Sequence, residues 1–225
     1  MKSLTQLSYA ALLIAACFSA NANDNESKLN NVKTALMSMP APINVPHTRT
    51  ETTFDDDESI TTISRITPNS NPIWELISVN GETPSKKEIK KFDKQMEKQL
   101  EDQEKDPFIG MLNLDSLTHF ENTDKFDVYD FDPIFSAFKD EAKYDLDGRV
   151  FVDQTGVIQS ITINAPETFK PVFGATMHTF LLEYKIAYNN ITPYVQTYKV
   201  LIDAKIGGFK KMHVESNGTN SDIAW

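Results

Sequence analysis

Thiols are all but missing from this chain of 225 residues, whose one cysteine is Cys17. Anything folded from the residues after it has no disulfide, no cysteine nucleophile and no thiol redox chemistry. Glycine is also scarce, with eight in total. None is arranged as a phosphate loop, a dinucleotide fingerprint or a Gly-x-Ser-x-Gly elbow. The four histidines, His47, His119, His178 and His213, stand at no metal-ligand spacing to one another. No metal and no cofactor is expected. Positive charge is thin: 22 basic residues face 32 acidic ones, for a net −10. The deficit lies in residues 23–148, where 14 basic and 26 acidic residues give −12; residues 149–225 carry +1. Nucleic acid and anionic lipid surfaces, which select clustered Lys and Arg, are therefore poor partners for the front part. The one long apolar run, about Leu7 to Ala16, is too short to span a bilayer as a helix.

That run is the first thing the sequence does contain. Lys2 precedes it and Ala20-Asn21-Ala22 follows it, the charge, apolar core and small-x-small site of a secretory signal. Residues 1–22 read as a signal peptide cut between Ala22 and Asn23, giving a periplasmic or secreted protein of 203 residues. Ile14-Ala15-Ala16-Cys17 also fits the box before a lipid-modified cysteine, so anchoring at Cys17 is the alternative. An exported chain without disulfides fits a bacterial periplasm. A chain of this length can bury roughly 70% of its unfolded surface and needs no staples.

Residues 23–46, polar and carrying Pro40, Pro42 and Pro46, read as a tether with a short helix near Val32–Met37. A single β-rich domain is expected over 47–225. Two strands flank Asp55-Asp56-Asp57-Glu58, and a third, Ile73 to Val79, stops at Asn80-Gly81. Ser85 with Glu88 forms a capping-box signature. Ile89, Phe92, Met96 and Leu100 then make one narrow stripe on a helix over about 85–105. Phe108–Leu117 reads as a second helix or an irregular cover. From Lys125 onward the signal is β. A hairpin turns at Asp153-Gln154-Thr155-Gly156, and two long alternating strands follow. One puts Phe180, Leu182, Tyr184, Ile186 and Tyr188 on a single face; the next does so with Tyr198, Val200, Ile202, Ala204 and Ile206. A last strand, Phe209–Glu215, follows Gly207-Gly208. The fold class is α+β, mostly antiparallel β: a curved meander sheet, half-barrel or barrel-like, with one main amphipathic helix. The expected inner face carries Tyr184, Ile186, Tyr198 and Val200, with Ile89, Phe92 and Met96 closing one end.

Carboxylates offer little chemistry. Asp127 and Asp130, with His119, are the least implausible hydrolytic set, but three residues apart on a strand they face opposite ways. Asp145-Leu146-Asp147-Gly148 has its glycine too early for an EF-hand. The protein is therefore expected not to be an enzyme.

One stretch is familiar. Arg65-Ile66-Thr67-Pro68, Trp74-Glu75-Leu76 and Ser78-Val79-Asn80-Gly81-Glu82-Thr83-Pro84-Ser85 resemble a family of uncharacterised exported proteobacterial proteins. Ile66-Thr67 here replaces that family's aromatic-Asp pair. The helix-plus-meander order is more distantly similar to the half-barrels that carry or receive lipoproteins in the bacterial envelope. That similarity implies an apolar cavity and brings no catalytic residues. Two functions are expected from these readings. One is non-catalytic binding of a lipid or acyl chain by Phe180, Leu182, Tyr184, Ile186, Tyr198, Val200 and Ile202. The other is an envelope structural or protein-interaction module without a small ligand.

Overall fold

The computed structural model describes residues 25–41, 44–55, 58–105, 108–135, 146–172 and 174–223. The signal-peptide reading, with Cys17, Ala22 and Asn23, lies outside these residues, as do Asp56, Asp57 and Asp145. Ten strands form one sheet: β1 (His47–Asp55), β2 (Glu58–Ile66), β3 (Trp74–Val79), β4 (Thr118–Asn122), β5 (Phe126–Phe131), β6 (Asp147–Asp153), β7 (Ile158–Asn164), β8 (Ala175–Asn189), β9 (Thr192–Ile206) and β10 (Lys210–Ser221). Their order is β3-β2-β1-β10-β9-β8-β7-β6-β5-β4, with every neighbouring pair antiparallel. The sheet is curved and not closed, as the alternation and short turns predict. The joint between β1 and β10 pairs the start of the domain with its end, Arg49 opposite Asn220. It requires β10 to run to Ser221, six residues beyond the expected end.

Turn chemistry follows the sequence. Asn80 and Gly81 both take left-handed backbone (φ 51° and 80°), the hairpin conformation an Asn-Gly pair adopts at least cost. Asp153 Oδ1 accepts from the Thr155 and Val157 amides, at 2.9 and 3.0 Å, which fixes the β6–β7 turn.

The tether reading of residues 23–46 gives way to a helix, α1, over 25–37. Leu29, Val32, Leu36 and Met39 recur at steps of three, four and three. They pack into the main core, where Leu36 is wholly buried. At about 1.5–3 kcal/mol for each fully buried side chain, this stripe is too costly to leave in water. Lys28 of α1 also reaches Asp127 of β5 at 3.5 Å. The domain therefore begins at or before residue 25, and α1 covers the apolar part of the inner sheet face.

The long helix, α2 (Lys86–Lys105), has the expected capping box: the Ser85 amide donates to Glu88 Oε2 at 2.7 Å, and the Glu88 amide to Ser85 Oγ at 3.4 Å. Hydrogen bonds from the Ser85 hydroxyl and amide hold the Glu88 carboxyl below its usual range. Its place differs from the expectation. Phe92, Met96 and Leu100 pack with Ile66 and Trp74 in a separate small core, and Trp74 Nε1 donates to Asp93 Oδ1 at 3.1 Å. Ile89 is 40% exposed. The stripe does not close the main core, because β2 and β3 offer it a nearer apolar surface. Cover over the main core comes instead from α1, α3 (Phe108–Met111) and the 3-10 turn Leu114–Ser116. The segment expected as a second helix or an irregular cover is both.

Candidate functional site on the inner sheet face

The residues singled out in the sequence share one side of the sheet. Phe180, Leu182 and Ile186 are buried in the main core, and Tyr184, Tyr198, Val200 and Ile202 are half-buried against it. Phe180 meets Phe135 and Phe169 edge-on, with ring centroids at 5.4 and 6.3 Å. Ile206, expected on the same face, is 41% exposed at the far end of β9, beyond the cover. Two bulges interrupt the alternation. His178 is the extra residue in β8 and Gln196 the extra residue in β9, so Val195 and Pro193 turn inward below Gln196.

Reading across the strands, Tyr129, Val150, Ile161, Tyr184, Tyr198, Gly218, Glu51 and Thr62 stand side by side. The row begins among fully buried apolar side chains and ends polar. Parallel rows do the same: Leu182 and Val200 lead to Ser216 and Thr53, and Asn220 leads to Arg49 and Ser64. The inner face therefore has a mostly apolar half on β5–β9 and a polar half where the Ser216–Asn220 part of β10 meets Arg49–Thr53 of β1 and Thr62–Ser64 of β2. Tyr184 and Tyr198 mark the seam.

At the seam the Tyr198 ring lies over Gly218, where an added Cβ would come 2.1 Å from Tyr198 Cζ. Glycine at 218 is what lets the ring lie down. Tyr198 neighbours Glu51, whose Oε1 accepts from Ser216 Oγ at 2.6 Å. Burial, reinforced by the Glu51 charge, drives the Tyr198 phenol far above its ordinary range, and burial alone pushes Tyr184 up to about 12. Both phenols are thus neutral donors at any physiological pH. Beside them Arg49 has a buried Nε with no hydrogen-bond partner. A guanidinium so placed favours an acceptor or anion brought to it.

Two strand residues toward the N-terminus, His47 is buried and its Nδ1 donates to the Val45 carbonyl at 2.7 Å. Its Nε2 is therefore an acceptor, and burial lowers the ring's pKa below 6.5. Asn220 Nδ2 donates to the Val195 carbonyl at 2.9 Å, leaving Oδ1 buried and unpartnered like His47 Nε2. Both residues line a cavity of about 10 Å³, the size of one water.

Other candidates are dispersed. Asp127 faces inward on Lys28, while Asp130 faces outward on Arg149 at 3.2 Å, as strand parity requires. His119 packs edge-on against Tyr129 and contacts Asn122 at 2.5 Å. Among the described residues, no three His, Cys, Asp or Glu side chains gather as a metal site. On the outer face, Glu183, Lys185, Thr197, Lys199, Asn217 and Thr219 line an open polar hollow of about 230 Å³. No described helix is long and apolar enough to cross a membrane.

The sequence reading missed Arg49, Glu51, Ser216, Gly218 and Asn220. In β1 the inward His47, Arg49, Glu51 and Thr53 alternate with outward Thr48, Thr50 and Thr52, polar on both faces. Period-two reading needs a contrast between faces, and none exists there. Compared with family models, curated proteins and solved structures, the chain finds no match.

Proposed function

We propose that this is an exported, non-catalytic binding protein that takes an amphiphilic ligand along the seam of its inner sheet face. The apolar portion, a lipid or acyl chain, lies against Tyr184, Tyr198, Val200 and Ile202. Its polar end meets Arg49. The observation that carries this reading is the buried, unpartnered Arg49 Nε near the half-buried Tyr198, on a face that continues into the apolar side chains. Phe180, Leu182 and Ile186 act as the packed floor rather than as contacts. The signal-like N-terminus and the resemblance of the Arg65 to Ser85 motif to exported proteobacterial proteins support an envelope location. So does the likeness of the helix-plus-meander order to lipoprotein-carrying half-barrels.

Protein purified from producing cells should release lipid on solvent extraction, detected by mass spectrometry. It should also bind a fluorescent fatty acid, with Arg49→Gln weakening binding of the acid more than that of the corresponding alcohol. Lipid-free protein that ignores both probes overturns the reading. A protein-interaction role has one observation in its favour: α2 rests on a small separate core and turns its charged faces to solvent. Crosslinks from α2 to an envelope protein, without any bound lipid, would select that role instead.

A further inference from the structure

The end of the sheet where β8 starts and β9 turns into β10 is unlike the rest of the surface. Phe209, in the turn, is 85% exposed, and Ile206 and Val172 are 41% and 38% exposed. They belong to one platform. The Gly207 amide donates to the Gly174 carbonyl at 2.7 Å, and Ile206 stands between Ala175 and Lys210 in the sheet. Gly207 and Gly208 both hold left-handed backbone (φ 62° and 80°). The Phe209 ring folds near Gly207, with the position of an added Cβ 3.4 Å away. The turn thus fixes where the ring projects.

Lys205, Lys210 and Lys211 surround these side chains and are all exposed. Lys205 stands directly opposite Lys211, a like-charge pairing that costs stability. Among the described residues none of the three has an ion-pair partner. The nearest carboxylate along β9, Asp203, is taken by His213 Nδ1 at 2.5 Å. Single exposed apolar residues need no explanation. Three on one platform, ringed by three unpaired lysines in a chain of net charge −10, do. Apolar groups at a projecting tip with ammonium groups around them match the boundary of an anionic bilayer, where the former enter the acyl region and the latter reach the phosphates.

We infer that this platform docks on an anionic lipid surface: Phe209, Ile206 and Val172 enter the headgroup–acyl boundary while Lys205, Lys210 and Lys211 meet lipid phosphates. None of these residues lies at the Arg49–Tyr198 seam, so the two readings stand or fall separately.

The test places an environment-sensitive fluorophore on Phe209→Cys or, as a control, on Ile191→Cys. Ile191 is 90% exposed at the β8–β9 turn, at the opposite end of those strands. Both labels are carried in a Cys17→Ser background, in protein as the cells process it. On vesicles of equal phosphatidylglycerol and phosphatidylcholine, the 209 label should brighten and shift to the blue while the 191 label stays unchanged. On phosphatidylcholine alone neither should respond. Lys205→Glu with Lys211→Glu should weaken partitioning by roughly 25-fold or more, at about fivefold per lysine removed. Phe209→Ser should weaken it on the order of tenfold. All these positions are exposed, and an unchanged circular dichroism spectrum confirms that each variant folds. A silent 209 label, equal responses at 209 and 191, or equal binding to the uncharged vesicles would overturn the inference.

Discussion

The two halves of the inner sheet face share a backbone architecture and differ in what their side chains require. On β5–β9 the inward residues are mostly aliphatic or aromatic and α1 covers them, with Asp127, paired to Lys28 of α1, the charged exception. Where β10, β1 and β2 meet, the inward residues include Arg49, Glu51, Ser216 and Asn220, held by hydrogen bonds where they are held at all. The first half derives its stability from area removed from water, which is non-directional and tolerant of exchange. The second depends on individual bonds, and an unmatched buried atom there carries a cost that a bound partner can remove. A stable floor beside an unsatisfied wall is an arrangement suited to binding.

The sharpest way to break this contrast is to place a charge on each half. Ile186→Asp, in the buried half, is expected to destabilise by at least about 3 kcal/mol. Thr62→Asp, in the polar half, should cost under about 1 kcal/mol; urea denaturation of both variants measures the difference. If α1 belongs to the apolar half, Leu36→Ala should lose about 2–5 kcal/mol, far more than any tether residue could. At the seam, Gly218→Val forces the Tyr198 ring off its place and away from Glu51. A cost of about 1–3 kcal/mol is expected, with a change in tyrosine near-ultraviolet dichroism.

Acidity sharpens the comparison further. His47 has a folded pKa below its unfolded value of 6.5, so the unfolded chain takes up the proton more readily. Its contribution to stability is therefore complete above that value and declines as pH falls from about 6.5 through the folded pKa. His47→Gln should flatten that decline in a pH series of urea midpoints. A small, local effect is expected outside both halves: Asp93→Ala removes the Trp74 bond and should cost about 1 kcal/mol. Hydrogen exchange should then quicken in α2 while β5–β9 keep their protection.

Legibility followed the same division. Wherever one strand face is apolar and the other polar, as in β8 and most of β9, the inward residues were readable from their spacing. Strand β4 escaped because Thr118 to Asn122 are all exposed and its pairing slips between His119 and Glu121, which erases any period. Helix α1 was foreseen only near Val32–Met37, since the prolines after it dominate that stretch of sequence. Its four-residue stripe gains meaning only from a face that needs cover. The α2 stripe was read correctly and its destination was not. An amphipathic pattern states that a helix face will be buried without stating against what, and Ile66 and Trp74 lay closer in space than the main core.

Local chemistry alone determined the antiparallel class, the hairpin turns at Asn80-Gly81 and Asp153–Gly156, the capped helix from Ser85, and the opposed directions of Asp127 and Asp130. Each of these depends on residues within a few positions of one another. The tertiary structure decided the β1–β10 joint, the docking of α1, the stacking of Tyr198 on Gly218 with Glu51 and Ser216, and the isolation of Arg49. These join residues up to 173 positions apart, Thr48 and Ser221 the most distant. Pairings at that range arise when the whole chain minimises exposed apolar area and unmatched polar groups together, and no short window of sequence contains that balance.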